Sequence, residues 1–371
     1  MAKLTLDPIE KAVADIAAGK PVVVVDDEDR ENEGDLIMAA EKATPESVAF
    51  IIRHTSGILC APLEAKEAKR LNLQPMVAEN DAPLSTAFTV SVDFRQGLTT
   101  GISAEERCNT VRALANPNCG SADFVRPGHI FPLVAKEGGV LIRTGHTEAA
   151  VDLAKLAGCS PVGLICELVN DDGSVKKGQD LQGFAHDHGL SLVSIDDLIA
   201  YRQKRESLVE RIDERMTETA VGPVRAITYS TRYDQAEHVA LLYGDVEGKD
   251  DVLVRLHVET VLQDAFGGEG RPVMAALRRI AEEGAGVLVY LRHGAAGVTE
   301  SRRAEAAENG ESTESDAARR EHWRDVGLGA QILLDLGIRK IRVLASRERQ
   351  YVGLSGFDIE ITETAIYPAD E

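Results

Sequence analysis

Apolar positions along the chain fall into two alternating series separated by a charged stretch. In the first series, "PVVVV" (21–25) predicts a buried strand and "TPESVAFIIRHTSG" (44–57) a capped helix ended by Gly57. "TAFTVSV" (86–92) alternates as a strand does. "TEAAVDLAKLAGCSP" (147–161) predicts a helix closed by Gly158, followed by the strand "VGLICELV" and the turn "NDDG". "SLVSIDDLIAYRQKR" (191–205) reads as a strand and then a helix capped by Ser194, with Asp197 three residues on. The N-terminal segment predicts an amphipathic helix, with Asp7 as cap, Pro8 first in the helix, and Ile9, Val13 and Ile16 on one face.

The steady apolar pattern then lapses in "ESLVERIDERMTETAVGP" (206–223). A second series follows in "HVALLYGDV", "DVLVRLHVET", the helix "RPVMAALRRIAEEGAG", the strand "VLVYLRHG", the helix "VGLGAQILLDLG" and the strand "IRKIRVLAS". The expected architecture is α/β, with α+β-type mixed sheets, in two domains: 1–205, a linker at 206–216, and 217–371. "RRAEAAENGESTESDAARRE" (302–321) is polar and low in complexity, and is expected as a mobile loop.

Composition narrows the function. The chain has 371 residues, 44% hydrophobic and 27% charged, which is ordinary globular composition. Neither a membrane-spanning run nor a signal-peptide pattern is found, so a cytoplasmic protein is expected. A formal net charge of −20 argues against nucleic-acid binding, and aromatics at 4% argue against a base-stacking platform. A small phosphorylated substrate remains compatible, since it needs only a local Arg or a helix N-terminus. The five cysteines, Cys60, Cys108, Cys119, Cys159 and Cys166, lack C-x-x-C spacing and are expected to be free thiols.

Candidate chemistry concentrates in the first series. "DDEDRENEGD" (26–35) follows the "PVVVV" strand, with Arg30, Glu31, Glu33 and Asp35 in non-strand sequence and Gly34 permitting a turn. Its carboxylates could hold a hard divalent cation and Arg30 a phosphate; a solvated acidic loop is the plainer alternative. In "RPGHIFPL" (126–133), Pro127 and Pro132 stiffen the backbone around His129, an acid/base candidate or a histidine that merely bonds a loop. In "RTGHTEAAVDL" (143–153), His146 and Thr147 fall where a helix begins, with Arg143 close by. Free amides there would seat a phosphate or oxyanion, and Thr147 would also serve as an ordinary N-cap. Glu167 interrupts an apolar strand, on a solvated face or buried with a raised pKa.

Taken in order, "DDEDRENEGD", "TAFTVSVD", "GLTTGISAEER", "RPGHIFPL", "RTGHTEAAVDL" and "CELVNDDG" resemble 3,4-dihydroxy-2-butanone 4-phosphate synthase of riboflavin biosynthesis, over nearly all of residues 5–204. The resemblance implies a lyase that converts D-ribulose 5-phosphate to 3,4-dihydroxy-2-butanone 4-phosphate and formate with Mg²⁺ or Mn²⁺. It implies Glu31 and His146 as metal ligands, and His129 and Glu167 as essential to catalysis. Arg30, Glu31, Asp35, Arg143, Thr144, Gly145, His146, Thr147 and Glu167 would contact the substrate. The family is a homodimer with sites at the subunit interface, and other enzymes of the pathway are candidate partners. Two departures, Glu106 for an Asp and Asn109 for a Thr, look peripheral; Cys60 lies where the family often has a thiol beside the site, a buried structural thiol being the equal alternative.

Residues 217–371 resemble GTP cyclohydrolase II in scaffold, through "HVALLYGDV", "RLHVET", "IAEEGAGVLVYLR", "GLGAQILLDLGIRKIRVL" and "YVGLSGFDIEI". That family binds catalytic zinc through three cysteines, but no cysteine follows Cys166 and the first ligand position reads Thr260. The "CDCG" segment is shortened in "DAFGGEGRPVM", the catalytic-Arg motif becomes "HGAAGVT" around Ala295 and Ala296, and "TNNPRK" becomes "ASRERQ". The family's acidic catalytic loop falls in the polar stretch at 307–320. His238, His257 and His293 show no zinc-site spacing. The expectation is a single-activity lyase whose second domain holds no zinc, leaves GTP intact, and is structural or regulatory. The alternatives are a bifunctional enzyme that also opens GTP, and a non-catalytic partner of riboflavin enzymes, which the intact Glu31, His129, His146 and Glu167 oppose.

Overall fold

The computed structural model describes residues 4–26, 30–231, 236–266, 271–292, 316–345 and 357–366. The chain divides into two compact units, Met1–Tyr201 and Arg202–Glu371, each built on a seven-stranded mixed sheet with helices.

The first unit runs α1 (Ile9–Ala17), β1 (Val22–Val25), β2 (Gly34–Ala39), α2 (Pro45–His54), β3 (Cys60–Glu64), α3 (Ala65–Arg70), β4 (Val92–Phe94), α4 (Ala104–Ala115), β5 (Phe124–Ala135), α5 (His146–Leu156), β6 (Gly163–Glu167), α6 (Gln179–His188), β7 (Leu192–Ser194) and α7 (Ile195–Arg205). Its strand order is β4-β5-β3-β6-β2-β1-β7. β1 pairs parallel with β7 and β3 with β5; the other neighbours are antiparallel. The unbroken valines of β1 follow from burial on both faces. Val22 and Val24 join a core with Ile9 and Ile16 of α1, Ala149 and Leu153 of α5, and Leu198 of α7. Val23 and Val25 join the opposite core with Val48 and Ile51 of α2, Val111 and Leu114 of α4, and Leu181 of α6. Each valine so enclosed contributes roughly 1.5–3 kcal/mol, and a polar substitution at any of them would split a layer.

Helix ends follow the sequence signals with small offsets. Thr44 and Ser47 form the capping box of α2, and Ser194 Oγ accepts from the Asp197 amide at 3.0 Å. Pro8, not Asp7, is the N-cap of α1; Asp7 instead exchanges backbone and carboxylate bonds with Leu192, tying the N-terminus to β7. Gly34 makes no turn but opens β2, paired with Val25. "TAFTVSV" forms only single bridges, Thr89 to Pro75 and Phe88 to Leu133, before the short β4 begins at Val92.

The second unit holds the end of α7, then β8 (Val209–Thr219), β9 (Gly222–Thr231), β10 (His238–Tyr243), β11 (Val252–Val258), α8 (Val261–Phe266), α9 (Pro272–Glu283), β12 (Gly286–Leu291), α10 (Asp316–Asp335), β13 (Lys340–Ala345) and β14 (Glu360–Ile366), in strand order β14-β13-β11-β12-β10-β9-β8. The expected linker at 206–216 is therefore largely strand. Its charged residues hid the pattern because β8 is an edge strand, mostly exposed and held by its ladder to β9. Ala276, Leu277 and Ile280 of α9 pack on Leu253, Leu288 and Leu344 from three adjacent parallel strands. Gln331 of α10 accepts from the Leu208 amide and donates to the Gln203 and Glu206 carbonyls. Of the expected loop at 302–321, residues 316–321 are helical backbone and the rest lie outside the described residues. "HGAAGVT", His293 and most of "ASRERQ" also lie outside them.

Candidate active site

Register gathers the candidates at one end of the first sheet. Asp35 of β2 stands directly opposite Glu167 of β6, and Ile165 of β6 opposite Cys60, which pairs with Phe131 of β5. Side chains two apart share a face, so Asp35, Glu167, Cys60 and His129 (two before Phe131) lie on one face. It is the face covered by α5, whose first residue is His146. His129 sits within strand β5.

His146 is buried and its Nε2 donates to the Val24 carbonyl of β1 at 3.1 Å. That bond turns Nδ1 toward Glu31 Oε2 at 3.5 Å and Asp35 Oδ1 at 3.9 Å. Asp26 completes the group: ligand atoms of Asp26, Glu31 and His146 all lie within 4.8 Å of one another, the only such trio among the described residues. Asp26 also accepts from Arg30 and from the Glu31 and Glu33 amides at 2.8, 3.1 and 2.9 Å, so it shapes the loop that carries Glu31. Arg30 is almost enclosed, bonded to both Asp26 and Glu31, and offsets part of their charge.

The cluster is electrostatically unfinished. Burial, aided by Glu167, Glu31 and Glu33, pushes Asp35 up to about 7 against the pull of His146. Asp35 Oδ1 makes no hydrogen bond although it is buried. Burial opposes a charge on His146, but Asp35, Glu31 and Asp26 outweigh it and lift its pKa to about 9. Burial also acts upward on Glu31, yet His146 and Arg30 bring its carboxyl below the ordinary range. Two carboxylates, an imidazole fixed by a backbone carbonyl, and an orphaned acceptor beside them suit a hard divalent cation. A ligating His146 would give up its proton to that cation.

The remaining candidates surround this group. Glu167, half-buried, accepts from Ser56 Oγ at 2.8 Å. Cys60 is buried, and burial with Glu167, Cys166 and Asp35 nearby keeps its thiol protonated. Gly145, not Thr147, is the N-cap of α5, and Thr147 is buried in the first turn, whose leading amides have no helical acceptor. Thr144 is half-buried just before that cap. Arg143 bonds Glu148 at 2.7 Å, Thr86 at 3.2 Å and the Leu84 carbonyl at 3.1 Å; no carboxylate of the Glu31 cluster is among its partners. Glu106 is not idle either: it accepts from the Thr99 amide and hydroxyl and closes the capping box of α4, bonds that draw its pKa down to about 2. Asn109 is exposed on α4. All five cysteines are free thiols.

In the second unit, the Thr260 position is part of a closed hydrogen-bonded group. Asp264 of α8 accepts from His257 Nε2 at 2.9 Å, from the Thr260 amide and hydroxyl at 2.8 and 3.1 Å, and from Tyr290 OH at 2.8 Å. His257 and Tyr290 stack with ring centroids 5.4 Å apart. His238 Nδ1 accepts from the Arg292 amide. These residues offer no thiolate, and His257, Thr260 and Tyr290 are all turned to Asp264, so they do not fit a catalytic zinc.

A covered mixed sheet whose strand ends carry carboxylates and an imidazole beside a helix N-terminus is the arrangement of an α/β enzyme's active site. Comparison with known proteins makes this specific. The family model for 3,4-dihydroxy-2-butanone 4-phosphate synthase matches residues 10–201, and that for GTP cyclohydrolase II matches 210–365. The chain belongs to the 3,4-dihydroxy-2-butanone 4-phosphate synthase family and is a lyase of riboflavin biosynthesis. It is 50% identical to "Riboflavin biosynthesis protein RibBA" of Nocardia farcinica, over 98% of this chain and 91% of that one. The protein of that name from Mycobacterium tuberculosis is 49% identical over 98% and 89%. Among solved structures, RibBX, a two-domain 3,4-dihydroxy-2-butanone 4-phosphate synthase from A. baumannii, is 38% identical with a TM-score of 0.79, covering 97% of this chain and all of that one. A synthase crystallised with two magnesium ions is 43% identical with a TM-score of 0.53, covering 54% of this chain and 98% of that one. Among the described residues, no helix is long and apolar enough to cross a membrane.

Proposed function

We propose that the first domain converts D-ribulose 5-phosphate to 3,4-dihydroxy-2-butanone 4-phosphate and formate, using Mg²⁺ or Mn²⁺ held by Glu31 and His146 with Asp26 beside them. The observation that carries this is the Asp26–Glu31–His146 trio beside a buried Asp35 with an orphaned oxygen. When bound, a divalent ion acts as a Lewis acid for the negative charge that grows on adjacent sugar oxygens. Around it, Glu167 and His129 move protons at the sugar carbons and oxygens. Arg30 balances the acidic loop, and the first turn of α5, with Thr144, Gly145 and Thr147, receives the anionic end of the substrate. Arg143, bonded to Glu148, Thr86 and the Leu84 carbonyl rather than to its own chain's trio, suits a homodimer in which protomers exchange site residues. The test is turnover of ¹³C-labelled ribulose 5-phosphate followed by NMR. Labelled formate and the four-carbon phosphate should appear with Mg²⁺ and cease with EDTA; an unchanged substrate would overturn the reading.

For the second domain, two readings rest on different observations. The family match at 210–365 and the shared name of the relatives favour the bifunctional alternative, in which GTP is also opened. The absence of any cysteine after Cys166, and the enclosure of Thr260 by Asp264, favour a domain without zinc chemistry. On the chemistry of the donors, we hold to a structural or regulatory second domain. Release of formate from GTP by the purified chain would decide for the alternative.

A further inference from the structure

We infer that a cleft between the ends of α2 and α6 and the hairpin at 168–176 binds a small phosphorylated ligand with a planar ring, of the nucleotide class. The cleft has a volume of about 400 Å³, and Arg53, His54, Asn170, Asp171, Lys176 and Phe184 are among its lining residues. None of its lining residues belongs to the group around Glu31 and His146.

Local structure builds two unlike walls. α2 ends at His54 and α6 at His188, and their last turns meet. The His54 and His188 ring centroids lie 4.9 Å apart, with Phe184 at 5.4 Å from the first and 4.4 Å from the second. Phe50 backs this group, 4.7 Å from His54. The other wall is the "NDDG" turn, which is cross-linked to itself. The Asn170 amide donates to the Ser174 carbonyl at 2.7 Å, the Asn170 side chain to Ser174 Oγ at 3.0 Å, and Ser174 Oγ to Asp172 at 2.6 Å. Val169 donates to the His54 carbonyl at 3.3 Å and so joins the hairpin to α2. One side is aromatic, the other polar and stiff.

Charge is what points to a ligand. The chain carries a formal net charge of −20, yet Arg53, Lys176 and two histidines gather at this cleft. The Arg53 side chain makes no hydrogen bond or ion pair among the described residues. The Lys176 ammonium donates to the Asn170 side-chain oxygen at 2.8 Å, a neutral acceptor. Burial, then His188, Arg53 and Lys176, hold the His54 imidazole below its ordinary pKa, with Asp171 opposing them. The C-terminal dipole of α2 draws cations, but no carboxylate bonds any of these four groups among the described residues. A phosphate supplies the missing acceptors for Arg53 and Lys176. Phosphate alone would leave most of the roughly 400 Å³ unfilled, and the His54 and Phe184 rings offer an aromatic side for a second ring.

The test uses the full chain with 5′-AMP as the probe. Protein labelled with ¹⁵N-histidine is titrated, the His54 and His188 signals being assigned by their loss in His54→Gln and His188→Gln. AMP should shift both signals saturably and raise the His54 pKa, because an anion beside it steadies the imidazolium. Inorganic phosphate and adenosine should each bind at least about tenfold more weakly than AMP. Arg53→Met or Lys176→Met should weaken AMP by about tenfold or more, since each loses a charged hydrogen bond. Arg53 is exposed and Lys176 partly so, and both variants should melt as the wild type does and release formate from ribulose 5-phosphate at its rate. Unmoved histidine signals at millimolar AMP, equal affinity for inorganic phosphate, or unchanged AMP affinity in both variants would overturn the inference.

Discussion

Two aspartates, one in each domain, Asp35 buried and Asp264 partly so, show opposite treatments of the same group. Asp264 accepts hydrogen bonds from His257, Thr260 and Tyr290; burial acts upward on its pKa, but those bonds outweigh it and hold the carboxyl low. Asp35 has an oxygen without any hydrogen bond, neighbours of like charge, and a pKa pushed up to about 7 by burial. A carboxylate with its acceptors filled is a structural joint, here between β11, α8 and β12. One left wanting beside other ligating groups is a candidate place for a ligand, because native structures leave few buried polar groups unsatisfied.

The largest expected effect breaks the first half of this comparison. Glu31→Gln or His146→Gln should lower formate release from ribulose 5-phosphate at least ~100-fold while circular dichroism and the melting curve stay native. Wild-type turnover in either variant would remove the trio from the mechanism. Next, calorimetry should separate the domains by metal. Mg²⁺ at one hundred times its dissociation constant should stabilise the first domain by about 2.7 kcal/mol, whereas neither Zn²⁺ nor EDTA should move the second transition.

Truncating each aspartate sharpens the contrast. Asp264→Ala should destabilise the second domain by about 2–4 kcal/mol, since it strands four donors from three residues. Asp35→Asn should leave the metal-free first domain as stable or more so, while costing activity. Acid should act on the same joint. Because the folded pKa of Asp264 is depressed, its stabilisation is fully present above the unfolded value of about 3.9 and is lost as pH falls through the folded value. Calorimetry from pH 5 downward should show a shallower loss for Asp264→Ala than for the wild type. The smallest effect is the cap: Ser194→Ala should cost about 1 kcal/mol without touching turnover.

What the sequence made legible follows the same line. Val22–Val25, the helix His146–Leu156 and the caps at Thr44 and Ser194 were readable because periodicity and local bonds decide them. Strand β8 was not, since an exposed edge strand of charged residues carries no apolar alternation. The importance of Glu31, His146, His129 and Glu167 came from resemblance. Their shared sheet face needed the register, which no local pattern encodes. Asp26 and Asp93 escaped as individual residues, though each sat inside a quoted motif, because their partners are a loop's amides and a histidine 36 residues away. The Thr260–Asp264 joint was invisible for a similar reason: its fourth member, Tyr290, comes from β12.

One measurement tests the central claim, that metal chemistry resides in the first domain and not in the second. Purified protein is given ribulose 5-phosphate with Mg²⁺ in one reaction and GTP with Mg²⁺ and Zn²⁺ in another, and formate is measured in both. The account predicts formate from the sugar phosphate alone, abolished by EDTA. Formate from GTP would contradict it, and the second domain would then carry an active site that its donors do not reveal.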